Sequence, residues 1–365
     1  MIDERLLKSE EKAIFNLRSL YKKYGYSPYK ISKFEEYELY VRNKDFLVSD
    51  RVITFNDTNG KLLALKPDVT LSIIKSGEDT DGVKQKVFYN ENVYRVSDST
   101  HRFKEIIQTG LECIGKLGLY DIFEVIMLAA ESLATVSDDY VIEISHLGII
   151  SDILENACSD SRFSEAALKY IAEKNSHDLK RLCDDFGIGQ KWVSLLVTLV
   201  SCYGERRKVI EALSEQYASP YLEELKNLSA LLDILPFSDK IRFDFSVVNS
   251  MSYYNGFVFK GFLNGICDGV LSGGQYDKMM KKMGRTSGAI GFALYLDLLE
   301  QFESAKSGYD ADVLILADEN VSSLSLAKRV RDLTDMQKSV CVQESIPENF
   351  KYGELINLKG DNEGC

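Results

Sequence analysis

The spacing of apolar and polar residues divides the chain into a β-rich frame that is interrupted by one helical block. Apolar residues at helical spacing predict an opening helix within residues 5–23. From about 150 to 235 the chain is rich in Leu, Ala, Lys and Glu at helical periodicity, which predicts an all-helical block. Around this block the pattern predicts a helix at 120–135 and strands at 85–97, 105–114, 140–144 and 241–245.

The last third of the chain carries turn signals between short apolar runs. Phe257–Leu263 and Ile266–Leu271 flank Asn264-Gly265, which predicts a hairpin with a type I′ turn. Residues 286–303 predict a glycine-rich entry to a buried helix, and 304–309 predict a linker. From residue 310 the pattern is a strand and then a helix, so a small or shortened α/β unit is expected at the end of the chain.

Composition narrows the class of protein. The 365 residues are 45% hydrophobic, and the formal net charge of −12 lacks the broad basic footprint of a nucleic-acid binder. No apolar run approaches the length of a membrane span. The seven cysteines show no CxxC spacing, which favours a reducing cytoplasm, and the three histidines are too scattered to suggest a zinc site or a Ser-His-Asp set.

One predicted strand carries polar residues where a core strand would not. Alternation over 106–114 places Gln108, Gly110 and Glu112 on one face. The glycine would let a ligand approach the backbone, with an amide and a carboxylate on either side. A solvated sheet face is an equally plain explanation of this pattern.

Four further segments carry weaker signals. Pro67-Asp68 precedes an apolar helical run, as at ordinary helix starts. Arg95 could hold a carboxylate or phosphate, although a strand arginine is more often a surface residue. Ser272 to Tyr276 contains a Gly-Gly pair without the lysine of a phosphate-binding loop. Alternation on a strand would place Tyr253 and Tyr254 on opposite faces of a sheet.

The order of these segments is more specific than any one of them. The series ALKPDVT, VYRVSDSTHRFKEIIQTGLECIG, SYYNGFVF, LSGGQYD and SGAIGFALYLDLLE resembles the catalytic core of histidyl-tRNA synthetase. The resemblance implies an α+β fold of the class II aminoacyl-tRNA synthetase type, an antiparallel sheet flanked by helices. Residues 1–303 would form this core with the helical insertion, and 310–365 a truncated α/β domain similar to the family's anticodon-binding domain.

The same resemblance implies a pocket for histidine. Asp68 stands where the family has a Glu. Gln108 and Glu112 match residues that hold the amine and the imidazole of histidine. The arginine of the family's motif 2 is retained as Arg95. No cofactor and no metal are implied. The residues expected to bind histidine are Asp68, Thr70, Arg95, Gln108, Glu112, Tyr254 and Tyr276.

The positions that would carry adenylation chemistry differ from the family pattern. Asn249 and Leu298 stand where the family has arginines that stabilise charge on the substrates, and Gln275 replaces a third arginine. Ser32 replaces the motif 1 proline. Amino-acid activation on ATP concentrates phosphate charge that arginines must neutralise, so we expect no adenylation.

A synthetase-like core without its ATP apparatus is similar to the regulatory subunits of ATP phosphoribosyltransferase. That family implies a short-form catalytic subunit as partner in a hetero-octamer, a homodimer through residues 26–40, and a part in feedback inhibition by L-histidine, with no membrane or nucleic-acid partner. Two alternatives remain open: a true histidyl-tRNA ligase whose arginines come from shifted positions, and an orphan synthetase-like paralogue with another amino-acid ligand.

Overall fold

The computed structural model describes residues 9–44, 52–97, 100–248, 253–299 and 309–359. The chain divides into two compact units, Met1–Phe302 and Glu303–Cys365. Asn249 and most of the predicted linker at 304–309 lie outside the described residues. Within the described part of the chain, no helix is both long and apolar enough to cross a membrane.

The first unit is built on an eight-stranded sheet of order β1-β5-β6-β11-β10-β9-β7-β8. Its pairings are antiparallel except for β1 with β5 and β7 with β8. A small antiparallel sheet of order β2-β4-β3 accompanies it. The strands of this unit are β1 Ser27–Pro28, β2 Phe34–Glu36, β3 Thr54–Asn56, β4 Leu62–Leu65, β5 Gln85–Val96, β6 Phe103–Gly115, β7 Tyr140–His146, β8 Ile241–Phe243, β9 Phe257–Leu263, β10 Leu271–Gln275 and β11 Gly288–Tyr295.

A block of helices is inserted between β7 and β8. Its boundaries carry ordinary helix signals: Asp160 and Ser219 cap the helices that follow them, and Pro220 occupies the first turn of its helix. The helices of the unit, with the block from α5 to α10, are α1 Ser9–Lys23, α2 Tyr37–Arg42, α3 Thr70–Ser76, α4 Leu119–Ala134, α5 Leu147–Ala157, α6 Ser161–Ala172, α7 Ser176–Asp185, α8 Gln190–Ser201, α9 Arg206–Ser214, α10 Pro220–Leu232 and α11 Asp277–Lys282.

The two faces of the large sheet differ in the size of their side chains. On one face, large apolar residues such as Phe88, Leu111 and Phe292 pack against α1 and α4 in the main core. On the other face, small residues occupy neighbouring positions of β6, β11 and β10: Gly110 pairs with Ala293, and Ala293 pairs with Ser272. Because the Ala293 and Ser272 side chains fill little space, this face is left open over β11 and β10.

The predicted hairpin is present, but its turn is not the predicted one. The second strand begins at Leu271 rather than at Ile266, and Leu271 pairs with Gly261. Ile266 is buried in the main core, and its N–H donates to Leu263 O. The buried isoleucine therefore belongs to a longer loop, and the prediction of a two-residue Asn264-Gly265 turn was wrong.

The predicted buried helix within 286–303 was also wrong over most of its length. Gly288–Tyr295 is strand β11, which pairs with β6 on one side and β10 on the other, and only a short 3₁₀ helix, Leu296–Leu299, follows. An apolar run buried on both faces has no helical or alternating pattern, so its length and composition misled the prediction.

The second unit is a small α/β arrangement. Three parallel strands in the order β13-β12-β14 pack against one helix, with Val313, Ile315 and Leu333 in the core. Its elements are β12 Ala311–Leu316, α12 Ser323–Asp335, β13 Val340–Gln343 and β14 Tyr352–Asn357.

The packed face of the large sheet predicts a sharp contrast between two phenylalanines. Phe259 is 0% exposed and its ring lies over Gly273, whereas Phe103 is 74% exposed. Phe259→Ala should lower the free energy of unfolding by about 3–5 kcal/mol because it leaves a cavity. Phe103→Ala should change it by no more than about 0.5 kcal/mol. Chemical denaturation followed by circular dichroism measures both, and equal losses would contradict this packing.

Candidate functional site

The open face of the sheet holds a cavity of about 500 Å³. All seven residues that the sequence predicted as ligand contacts line it: Asp68, Thr70, Arg95, Gln108, Glu112, Tyr254 and Tyr276. They come from the start of α3, from β5 and β6, and from the segments on either side of β9 and β10. Residues far apart in sequence thus meet in one site.

Glu112 forms the floor of the cavity. Thr70 Oγ1 donates to its Oε1 at 2.8 Å, and the Tyr276 hydroxyl donates to its Oε2 at 2.5 Å. The carboxylate lies directly over Gly291, where an added Cβ would come within 1.7 Å of Oε2. Burial raises the pKa of Glu112 to about 8, opposed by these hydrogen bonds and reinforced by nearby Asp68. Glu112 is therefore poised to gain or lose a proton near neutral pH.

Asp68 and Arg95 form the second charged group of the cavity. Asp68 Oδ1 accepts the N–H of Leu71 at 3.0 Å and so helps to begin α3. Burial raises the pKa of Asp68, opposed by this hydrogen bond and by the Arg95 charge. Arg95 Nε donates to Pro67 O at 3.0 Å, which anchors the guanidinium beside the helix start. Asp68 therefore both accepts a backbone N–H at the start of α3 and lines the cavity.

The polar face of β6 is a cavity wall and not a solvated sheet face. Gln108 is 3% exposed and lines the cavity with Glu112. Gly110 between them has a different role from the one expected. An added Cβ would lie 2.6 Å from the Tyr89 hydroxyl and 2.1 Å from Phe292 O, so its missing side chain makes room for Tyr89. The prediction that a ligand approaches this glycine was wrong.

The two adjacent tyrosines do not point to opposite faces. Tyr253 and Tyr254 precede β9, so strand alternation does not apply to them. Both line the cavity, with ring centroids 4.5 Å apart, and the Tyr253 ring lies 5.9 Å from that of Tyr276. Burial raises the pKa of Tyr253, Tyr254 and Tyr276, which keeps these phenols neutral donors.

Three positions that differ from the synthetase pattern lie within the described residues, and each makes packing or hydrogen-bond contacts within the fold. Leu298 packs against the main core and does not line the cavity. The Gln275 Oε1 accepts the Phe257 N–H at 2.8 Å and crowds Gly256, where an added Cβ would lie 2.1 Å away. Ser32 is exposed, and its Oγ accepts the Phe34 N–H at 3.2 Å. Two former arginine positions are thus structural here.

Several cavity residues were missed from the sequence. Strand register places three of them on the open face with Gln108: Tyr89, Tyr295 and Ser272. Two more line the end of the cavity away from Glu112, namely Lys260 and Asp268. Alternation along β5 could have placed Tyr89 beside Glu91 on one face, but only the pairing of β5 with β6 shows which face it is. Asp268 was missed because it lies in the loop between β9 and β10, where the sequence predicted a two-residue turn and a strand.

Together these groups make a site for a small ligand with several N–H donors. Two buried carboxyl groups, one amide and several phenols converge on one space, which suits an ammonium group and a ring N–H. An aromatic wall beside them suits a flat ring. The charged groups are held by neutral partners: Glu112 by the Thr70 and Tyr276 hydroxyls, and Arg95 by the Pro67 carbonyl.

Comparison with known proteins agrees with this architecture. The family model for histidyl-tRNA synthetase matches residues 2–299, and the chain belongs to this family. The class II synthetase-like fold predicted from motif order is confirmed.

The similar curated proteins carry a narrower name. A protein of Oceanobacillus iheyensis named ATP phosphoribosyltransferase regulatory subunit is 27% identical over 88% of this chain and 81% of its own. A protein of the same name from Caldanaerobacter subterraneus subsp. tengcongensis is 29% identical over 77% of this chain and 75% of its own. The predicted resemblance to these regulatory subunits is confirmed.

Two solved structures share the fold. An ATP phosphoribosyltransferase regulatory subunit/histidyl-tRNA synthetase from Bacillus halodurans superposes with a TM-score of 0.75 at 23% identity, covering 98% of this chain and 96% of that one. A chain of the ATP phosphoribosyl transferase (HisG:HisZ) complex from Thermotoga maritima superposes with a TM-score of 0.63 at 22% identity, covering 79% and 97%.

The raised pKa of Glu112 predicts how stability depends on pH. The folded chain keeps the Glu112 proton up to pH about 8, whereas the unfolded chain loses it near 4.5. Stability is therefore lost as pH rises between these values, by at most about 1.4 kcal/mol per pH unit. Glu112→Gln should flatten this decline, and Glu155→Gln at an exposed position should leave it unchanged. Denaturant titrations from pH 5 to 8 measure it; equal slopes in all three proteins would contradict the buried acid.

Proposed function

We propose that this chain is the non-catalytic regulatory subunit of an ATP phosphoribosyltransferase, the first enzyme of histidine biosynthesis, and that its cavity binds L-histidine. The transferase activity lies in a separate catalytic subunit, which this chain activates and helps to inhibit when histidine is abundant. One observation carries the proposal. All seven residues predicted to bind histidine line one cavity, whereas positions that hold arginines in the related synthetases hold other residues here.

The charge of the site supports a sensor over a ligase. Adenylation concentrates negative charge on phosphates, and a synthetase neutralises it with arginines. Arg95 is the guanidinium that lines this cavity within the described residues, and it already lies beside Asp68 and is anchored on Pro67 O. Leu298 packs against the core and cannot supply a second guanidinium group. Asn249, which replaces another of the synthetase arginines, lies outside the described residues.

Histidine matches the chemistry of the cavity. Its imidazole N–H can donate to the Glu112 carboxylate, and its ammonium group can be held by Asp68 and Gln108. Tyr254 and Tyr276 supply aromatic surface and hydroxyl groups beside the ring. Regulation requires that histidine bind one state of the assembly more tightly than another, and a difference of about 1–3 kcal/mol would suffice.

The assembly is proposed from the family. A short-form catalytic subunit would be the partner in a cytoplasmic hetero-octamer, with a homodimer of this chain formed through residues 26–40. The second unit, with its parallel sheet and single described helix, would correspond to a shortened anticodon-binding-like domain. We expect neither a membrane nor a nucleic-acid partner.

Reconstitution tests the proposed function. We expect the purified chain to show no histidine-dependent ATP–pyrophosphate exchange, because the arginines for adenylation are missing. Added to a short-form catalytic subunit, it should raise ATP phosphoribosyltransferase activity, and L-histidine should lower the activity of the mixture. Robust exchange or the formation of histidyl-tRNA would sink the regulatory proposal and favour the ligase.

A single substitution tests whether the cavity is the histidine site. Glu112→Ala removes the acceptor for the ring N–H and leaves Thr70 and Tyr276 without their shared partner. We expect histidine affinity to fall by tenfold or more, on the order of 1.5–3 kcal/mol, as measured by calorimetry. The matched variant Glu155→Ala at an exposed position should bind normally. If Glu112→Ala also binds normally, histidine acts elsewhere on the assembly.

A further inference from the structure

The cavity has a second polar end that the histidine contacts do not use. Beyond Tyr254 it is lined by Lys260, Asp268, Gly269 and Ser272. These residues lie on β9, on β10 and in the loop that joins the two strands. They are as much a part of the cavity wall as Glu112 is, yet none belongs to the predicted ligand set.

Strand register fixes the place of Lys260 at this end. Lys260 pairs with Ser272 on one side and with Glu143 on the other, in the row that continues to Ala293 and Gly110. The neighbouring Ser272 and Ala293 are small and line the same cavity as Lys260. The lysine stem runs past Gly269, where an added Cβ would lie 3.8 Å from Lys260 Cδ.

The positive charge of Lys260 has fewer polar partners close to it than the positive charge of Arg95. Arg95 lies beside Asp68 and donates to a backbone carbonyl, as described above. Among the described residues, no carboxylate lies within the 4.0 Å of Lys260 Nζ that defines an ion pair. Lys260 is half-buried, and burial lowers its pKa, opposed by Glu143 across the strand pair. A partly desolvated cation gains from an anionic partner.

Neither of the buried acids Glu112 and Asp68 forms an ion pair with Lys260. Three strand spacings, from β6 through β11 and β10 to β9, separate the Glu112 and Lys260 backbones. At about 4.8 Å each, this is roughly 14 Å between their strands. A ligand whose ring N–H reaches Glu112 and whose acidic group lies on the other side of its molecule could contact both Glu112 and Lys260 at once.

We propose that Lys260 is an anion-binding subsite that receives the carboxylate of the amino-acid ligand whose ring N–H reaches Glu112. The proposal rests on the proposed histidine cavity and adds the residue that reads the ligand's acidic group. In the related synthetases an arginine stands at position 249; here Lys260 on β9 supplies positive charge to the cavity in addition to Arg95. Lys260 thereby makes the cavity select amino acids over amines of the same shape.

A structural role for Lys260 is the competing explanation. Lys260, Glu143 and Arg242 occupy successive cross-strand positions, so alternating charges could simply stabilise the edge of the sheet. That role would make a substitution lower stability or weaken all ligands equally. An anion subsite instead makes the loss depend on whether the ligand carries a carboxylate.

Calorimetry on the full chain with three probes separates these roles. L-histidine carries ammonium, carboxylate and imidazole groups; histamine lacks the carboxylate; imidazolepropionate lacks the ammonium group. We expect Lys260→Gln to weaken L-histidine and imidazolepropionate by about tenfold and to leave histamine within about twofold of wild type. Lys260→Arg should retain most of the affinity. Lys180→Gln, at an exposed position, is the matched control and should change nothing.

Each other outcome counts against the proposal in a distinct way. If Lys260→Gln weakens histamine as much as L-histidine, or leaves L-histidine unaffected, the lysine is not an anion subsite, while the histidine cavity stands. If the wild-type chain binds none of the probes, the histidine cavity itself fails together with this subsite. Activation of the catalytic subunit is measured separately, so the regulatory function would still stand or fall on its own assay.

Discussion

The burial of the Glu112 carboxyl group is the constraint on which the site depends. It lies over Gly291, and it is held by Thr70 and Tyr276 from two separate elements. Any side chain at 291 would occupy its space, and any shift of α3 or of the β10–α11 junction would remove one of its two hydrogen-bond donors. A buried acid is costly unless its hydrogen bonds are satisfied. The surrounding small residues, phenols and helix start therefore serve both the fold and the cavity.

This arrangement shows how a synthetase-like core can keep its cavity residues while positions of the synthetase arginines hold other residues. The residues that line the cavity are held by the sheet and by α3, which the fold needs in any case. The phosphate contacts of a synthetase are single arginines that can be replaced without loss of the fold. Leu298 now contributes to the core, and Gln275 satisfies a backbone N–H beside Gly256. The fold and the cavity lining therefore do not depend on arginines at these positions.

The sequence predicted the site more accurately than it predicted some elements. Alternation along β6 placed Gln108 and Glu112 on one face, and the order of motifs predicted that Asp68, Tyr254 and Tyr276 would line the same cavity. Strand β11 was mistaken for a helix because a segment buried on both sides has no period. Lys260, Tyr89 and Tyr295 were missed because their position follows from the order of strands in the sheet, which local pattern does not contain.

The proton of Glu112 offers the most direct test of the account that the retained cavity senses histidine. At pH 7.5 free imidazole is largely neutral, whereas Glu112, with a pKa of about 8, is largely protonated. A ring N–H that donates to the carboxylate should expel that proton. Calorimetric titration of L-histidine in two buffers of different ionisation enthalpy measures proton release. The account predicts release of up to one proton per site, lost in Glu112→Gln; binding without release, or with equal release in the variant, would contradict it.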